Sequence, residues 1–325
     1  VTGGAGYIGS HMTRMLVARG HQAVVLDSME HGHKESLPPE ATLIVGNVAD
    51  TETLHKAFSG GTIDGVLHFA GFISVEESVR EPKKYFQNNL VAPISLLDAM
   101  VEANLKYIIF SSTSAVYGNP KTIPIPEDHP KEPRSPYGLS KLCFEDVLAL
   151  YDRNSAIRSI SLRYFNASGA SMDGAFGESH VPEPHIIPNA VMAAQGKIPE
   201  FTLFGTDYQT PDGTCIRDYI HVEDLCEAHM LALEALLGGH TTGAYNVGTG
   251  EGISNREIIA AVKKISGADF PVRDMPKRAG DSDRLVADST NLQKEFGWKP
   301  KYSDIDTIVS SAWKWHTSHP NGYGH

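Results

Sequence analysis

Tyr137-Gly138-Leu139-Ser140-Lys141, with Ser111-Ser112-Thr113 upstream, is the part of this chain whose residue types can do chemistry on an alcohol. A phenol with a pKa of about 10 is a poor base at neutral pH. A lysine four residues on along a helix lies on the same face, one turn away. Its positive charge favours the phenolate through space. The Thr113 hydroxyl can share or relay a proton taken from a substrate hydroxyl. A Tyr-x-x-x-Lys spacing also arises by chance on surface helices, so its meaning depends on the elements that hold it.

Those elements follow a rhythm. Through the first half, short apolar runs alternate with helical patterns, which predicts βαβ units and a parallel sheet. The expected strands span 23–27, 43–46, 65–69, 107–111 and 159–163, with helices at 8–19, 51–58 and 90–103. Beyond Asn166 the pattern breaks, and residues 167–211 are rich in Gly, Pro and His, with one helical stretch near 187–195. An amphipathic helix over 222–236, a strand at 244–247 and helices near 255–265 and 305–316 complete the reading.

Gly3-Gly4-Ala5-Gly6-Tyr7-Ile8-Gly9 follows an apolar strand end and opens the first helix. Glycines spaced G-x-x-G-x-x-G permit a tight turn, close approach of the backbone to a pyrophosphate, and helix-on-strand packing. The helix N-terminus then faces the phosphates. Asp27 and Ser28 end the next strand, and a carboxylate there accepts from both ribose hydroxyls while repelling a 2′-phosphate, which favours NAD over NADP. Asn47-Val48 and Phe69-Ala70-Gly71 end the following strands, where ligands bind in open parallel sheets. The fold class expected is α/β: a Rossmann-type doubly wound parallel sheet with a smaller α/β substrate-binding domain. Residues 1–166 and 212–253 are assigned to the NAD-binding domain, 167–211 and 254–325 to the smaller one.

Composition bounds the partners. The chain has 325 residues, 41% apolar and 21% charged, with a net charge of -11, ordinary for a globular protein and unlike the basic footprint of a nucleic-acid binder. Three scattered cysteines give no disulfide framework and make a reducing cytoplasm the default location. No apolar run approaches the ~20 residues that span a bilayer, and no signal peptide is evident. No His/Cys/Asp cluster has metal-ligand spacing, so no metal is expected. The chain opens in mid-strand at Val1-Thr2, as if a few residues preceded it.

These features resemble the extended short-chain dehydrogenase/reductase superfamily. Within it, Ser-Pro-Tyr-Gly-x-Ser-Lys at 135–141, Leu-Arg-Tyr-Phe-Asn at 162–166, the Asp-Gly-Thr-x-x-Arg-Asp-Tyr-Ile-His-Val segment at 212–222 and the closing His-Pro-Asn-Gly-Tyr are similar to the UDP-glucose 4-epimerases, over essentially the whole chain. Related dehydratases typically carry an acidic residue or pair after the strand-end Thr. Here Thr113-Ser114-Ala115-Val116-Tyr117 carries no carboxylate, which favours simple epimerisation.

The resemblance implies an NAD-dependent isomerase of UDP-glucose and UDP-galactose that transiently oxidises C4. Tyr137 would be the base, Lys141 would hold its pKa down and bind the nicotinamide ribose, and Thr113 would hydrogen-bond O4. Tyr7 and Ile8 would meet the NAD phosphates through their backbone, with Asn89, Ser111 and Phe165 also beside the cofactor. Asn166, His185, Ile186, Thr202, Leu203, Phe204, Arg217, Arg278, Asp281 and Leu285 would line the UDP-sugar. Asn47, Ile73, His185 and Leu285 depart from the best-known bacterial pattern, which has Asp, Lys, Asn and often Tyr there. Leu285 is intermediate in size, so acceptance of N-acetylhexosamines stays open, with a lean against efficient use. A 4-epimerase of another UDP-sugar and a non-catalytic nucleotide sensor are the alternatives; retention of Tyr137, Lys141 and Thr113 counts against the sensor. A homodimer through helix 90–103 and the Tyr137 helix is also implied.

Overall fold

The computed structural model describes residues 1–278 and 281–324. Its main sheet is all parallel and built from β1 (Val24–Asp27), β2 (Thr42–Val45), β3 (Val66–His68), β4 (Tyr107–Ser111), β5 (Arg158–Tyr164) and β9 (Gly243–Val247). Thr2 bridges both Leu26 and His68, so the opening segment lies between β1 and β3 and the order runs β2-β1-Thr2-β3-β4-β5-β9. Strands β1 to β4 read as short apolar runs because helices cover both faces, as parallel sheets require, whereas β5 alternates polar and apolar residues.

One face is packed by α1 (Tyr7–Ala18) and α8 (Val222–Leu237), which bury Met12, Leu16, Leu225 and Leu236. The other is packed by α2 (Thr51–Ser59), α5 (Ala92–Glu102) and α6 (Pro136–Ser155), through Leu54, Leu96, Met100, Phe144 and Leu148. Two short helices, α3 (Val75–Arg80) and α4 (Pro82–Phe86), precede α5. The helix expected at 90–103 is entered through a π-helical turn at Gln87–Val91, a local widening that leaves no mark in apolar spacing.

The smaller unit is centred on β8 (Ile216–His221), which pairs with β6 (Asn166–Ser168), β10 (Gly252–Ser254) and β12 (Arg284–Leu285). A parallel pair, β7 (Phe201–Phe204) and β11 (Val272–Met275), lies apart from it. Here α7 (Ile186–Ala194), α9 (Asn255–Ser266) and α11 (Ile305–Ser318) share a core of Ile187, Val191, Ile258, Val262 and Ile308. Helix α10 (Thr290–Phe296) sends Leu292 into the α8 side of the main core. The short strands β6, β8, β10, β11 and β12 were not expected from the sequence, because two- to six-residue strands carry little periodicity.

Candidate active site

Because the sheet is parallel, the ends of β1, β3, β4 and β5 open on one edge, and the glycine loop closes over that edge. Gly3 has a φ of +67°, and a Cβ there would lie 2.5 Å from the Ala70 amide nitrogen. A Cβ on Gly9 would lie 2.1 Å from the Gly3 carbonyl oxygen. Gly6 caps α1 with no side chain, so the first-turn N–H groups and the positive end of the helix dipole are left for an anion. Asp27 is buried and its carboxylate accepts from the Ala5 and Met29 amides, both at 2.9 Å, which ties β1 to the glycine loop. This cradle, shaped so that side chains would fill it, fits a dinucleotide pyrophosphate.

Other expected cofactor residues ring the same edge. Ser28 is exposed and Val48 buried. The Asn47 side-chain oxygen already accepts from the Ala49 amide at 2.9 Å, so its NH₂ and second lone pair are what it can offer an adenine. Phe69 packs on the His229 ring at 4.7 Å. Asn89 is buried and clamps the Phe72 amide and carbonyl, both at 2.9 Å. A Cβ on Gly71 would meet both Asn89 Oδ1 (3.2 Å) and Lys141 Nζ (3.3 Å), so Ala70, Gly71, Asn89 and Lys141 converge. Ile73 is exposed, with no charge to offer.

The Tyr-x-x-x-Lys pair sits in the first turn and a half of α6. Ser135 caps that helix by accepting from the Gly138 amide at 3.2 Å, and Pro136 occupies the first helical position. Tyr137 and Lys141 are both buried, at 8% and 4% exposure. Lys141 Nζ donates to the Ser111 carbonyl at 3.0 Å and lies 4.9 Å from the centre of the Phe110 ring. Burial brings the Lys141 ammonium down to about 8. Burial pushes the Tyr137 phenol up, opposed by a hydrogen bond with Thr113. Desolvation thus sets the direction of the Tyr137 shift, and the Lys141 ammonium is turned to the Ser111 carbonyl. The Thr113 hydroxyl also accepts from the Ala115 amide at 3.1 Å, which fixes its rotamer at the end of β4.

Ser111 acts through its carbonyl. Its hydroxyl faces away into a buried network with Tyr164 Oη (2.9 Å) and His229 Nε2 (3.4 Å). Burial holds His229 and the neighbouring His68 neutral, at about 4 and about 3, so neither repels Lys141 at neutral pH.

On the other side of the cleft, Phe165 and Leu285 both flank the buried cluster of Val116, Tyr117 and Ile125, immediately after Thr113. Asn166 donates to the Asp218 carbonyl at 3.0 Å. Arg217 donates to the Ile216 and Ser282 carbonyls, each at 2.9 Å, and stands 3.7 Å from Asp281. Arg278 stacks on Phe204, its guanidinium 4.2 Å from the ring centre. Thr202 and Phe204 point to one face of β7 while Leu203 points into the core, so Leu203 can serve a ligand only through its backbone. Ile186 begins α7, half-buried. His185 does not stand free: its Nδ1 is hydrogen-bonded to Glu178.

Several residues that hold the site went unrecognised in the sequence. Glu145, two turns after Tyr137, is buried against Arg163 and accepts from the Ser112 hydroxyl, which pins α6 to β5 and to the Thr113 end of β4. Arg163 reaches on to Tyr117 Oη at 2.9 Å. The Asp218 carboxylate is fully buried and accepts from the Thr249, Gly250 and Ala287 amides, locking β8 to the turns around it. The sequence also gave no metal-ligand spacing, yet the ligand atoms of Glu178, His180, Glu183 and His185 all lie within 4.8 Å of one another. The only available signal was an alternation of acids and histidines in a proline-containing loop.

A model of the NAD dependent epimerase/dehydratase family matches residues 1–248. The chain is 48% identical over 323 residues to the UDP-glucose 4-epimerase of Lactobacillus helveticus, covering 99% of this chain and 98% of that protein. The crystal structure of UDP-glucose 4-epimerase from Brucella ovis in complex with NAD superimposes with a TM-score of 0.94 at 43% identity, over 96% of each chain. That of the enzyme from Bifidobacterium longum in complex with NAD+ and UDP gives 0.92 at 37% identity, over 99% of this chain and 98% of that one. With family-model coverage of most of the chain and full-length likeness of sequence and structure, this chain belongs to the NAD dependent epimerase/dehydratase family.

Proposed function

We infer that this chain is a UDP-glucose 4-epimerase, an NAD-dependent isomerase interconverting UDP-galactose and UDP-glucose. The observation that carries the reading is the joint burial of Tyr137 and Lys141 beside Thr113, next to a glycine cradle that side chains would fill. Bound NAD would supply a reversible hydride acceptor for C4 of the sugar. Gly3, Gly6, Gly9, Tyr7 and Ile8 would hold its diphosphate, Asp27 and Ser28 its adenosine ribose, and Asn47, Val48, Phe69, Ala70 and Asn89 the remaining edge.

Tyr137 takes the proton from the sugar 4-hydroxyl and gives it back on the other side, which requires a heavy-atom approach of roughly 2.6–3.2 Å. Burial raises the pKa of the Tyr137 phenol, so its work as a base needs positive charge beside it. Lys141 is the chain's own contribution to that charge, and Thr113 keeps the proton path short. The 4-ketose must turn over while the nucleotide stays fixed, so binding energy belongs on the UDP, remote from the reacting carbon. Arg217, Arg278 and Asp281 are the residues suited to the diphosphate and uridine ribose, because arginine offers a planar multi-donor fork. Asn166, His185, Ile186 and the 202–204 strand line the rest, and Leu285 limits the space beside the sugar.

Residues 1–166 and 212–253 are proposed as the NAD-binding domain, supported by α8 and β9 packing into the main sheet; β8 pairs within the smaller sheet and joins the two. A homodimer through α5 and α6 is proposed, and cytoplasmic residence accords with three free cysteines. No described helix is long and apolar enough to cross a membrane. The test is a coupled assay of UDP-galactose conversion on tag-free protein with no added reductant. Production of UDP-glucose is expected; absence of conversion with NAD bound would end the reading.

A further inference from the structure

The loop entering α7 gathers four side chains that the epimerase reaction does not use as a set. The Glu178 carboxylate is hydrogen-bonded to His185 Nδ1, and its same oxygen lies 3.1 Å from His180 Nδ1. Glu183 lies 3.5 Å from His185 Nδ1 and 3.8 Å from His180 Nδ1. Two imidazole nitrogens and two carboxylates thus face one point. His180 Nδ1 is shielded from solvent and, despite the nearby carboxylate, is not aimed along a hydrogen bond to any partner. Among the described residues, no Lys or Arg forms an ion pair with either carboxylate; histidines are their only basic neighbours.

We propose that Glu178, His180, Glu183 and His185 form a tetrahedral site for a divalent transition-metal ion of the zinc type. Zinc holds imidazole nitrogen and carboxylate oxygen at about 2.0–2.2 Å, so tetrahedral donors stand about 3.3–3.6 Å apart. The separations of 3.1, 3.5 and 3.8 Å straddle that range, and the hydrogen-bonded His185 Nδ1 and Glu178 carboxylate part as the ion replaces the proton between them. Once the ion displaces their protons, two imidazoles and two carboxylates balance a dication, and the nitrogen–oxygen donor set suits it.

The surroundings hold the donors in place. The Glu178 carbonyl accepts from Trp315 Nε1 at 2.8 Å, and the Gly177 amide donates to Tyr323 Oη at 3.0 Å, anchoring one end of the loop to α11 and the chain's last residues. The other end is the cap of α7, where Asn189 donates to the Glu183 and His185 carbonyls. His180 and Ser179 line a crevice with Gly6 and Tyr7 of the glycine loop. A metal here cross-links the loop that joins α7 to the nucleotide edge. Its role is structural, and the proposal stands independently of the epimerase reading.

The test uses tag-free full-length protein stripped on a chelating resin and titrated with Co²⁺, followed by its visible d–d absorption. An intense tetrahedral band saturating at one equivalent and displaced by Zn²⁺ is expected. His180→Ala and, separately, Glu183→Gln should each weaken binding by at least the roughly 10–100-fold that loss of a mere second-shell partner costs. Far-ultraviolet circular dichroism establishes that each variant is folded, and either folded variant suffices. With 15 histidines in the chain, weak surface binding is expected to be non-saturating. Absence of a saturating band in the wild type, or an unchanged band in a folded variant, overturns the proposal.

Discussion

Gly9→Ala is the most searching perturbation of the nucleotide cradle. The added Cβ would lie 2.1 Å from the Gly3 carbonyl oxygen and 2.8 Å from Gly4 Cα, where real Cβ atoms essentially never come within 3.0 Å. Both neighbours are backbone, so no rotamer change relieves the clash, and the loop and α1 must part by about 1 Å. Overpacking of this kind costs about 1–3 kcal/mol of stability. The same shift carries the first-turn N–H groups of α1 off the cofactor diphosphate. Hydrogen bonds to a charged group are worth about 1.5–3 kcal/mol each, so losing two removes about 3–6 kcal/mol. That corresponds to a roughly 10²–10⁴-fold weaker NAD complex. The assay is release and quantification of nucleotide from purified protein, with NAD affinity of the depleted protein measured by fluorescence quenching. A Gly9→Ala protein that keeps wild-type NAD content, affinity and melting temperature would refute the reasoning.

Three other outcomes are expected. Glu145→Ala leaves Arg163 buried without its carboxylate and should cost about 3–5 kcal/mol in urea unfolding, whereas a loss below about 1 kcal/mol would contradict the pinning role. Burial lowers His11 and His68 to about 3 and His221 and His229 to about 4, so these groups stabilise the fold fully above their unfolded value of 6.5 and lose that contribution as pH falls toward the folded values. Each then contributes up to about 2 kcal/mol of destabilisation between pH 7 and pH 5, and a urea midpoint that stays flat over that interval would contradict it. If Leu285, packed against Val116, Tyr117 and Ile125, limits the sugar pocket as proposed, UDP-galactose should have a larger specificity constant than UDP-N-acetylgalactosamine; comparable constants would remove Leu285 as a size limit.

What could be read in advance was what covalent spacing encodes. Tyr137 and Lys141 must share a helix face, and glycines at 3, 6 and 9 must make a close turn, wherever the rest of the chain goes. The four cofactor-side strand ends were legible because buried parallel strands read as apolar runs between helical patterns. Residues that act through distant partners gave no such signal. Glu145 meets Arg163 and Ser112 only after α6, β4 and β5 are assembled, and Asp218 meets Thr249 and Ala287 across three chain segments. The inward turn of Leu203 was available from strand alternation between Thr202 and Phe204. Spacing shows the charge of Lys141 beside Tyr137 but not the desolvation that both residues suffer.

The central claim is that Tyr137 moves the proton of the sugar 4-hydroxyl. Its most direct measurement is the rate of UDP-galactose conversion by wild type and Tyr137→Phe, with NAD content and UDP affinity determined on the same preparations. Loss of the hydroxyl should slow conversion by at least roughly 10²–10⁴-fold while both ligands still bind. Equal rates in the two proteins would contradict the account.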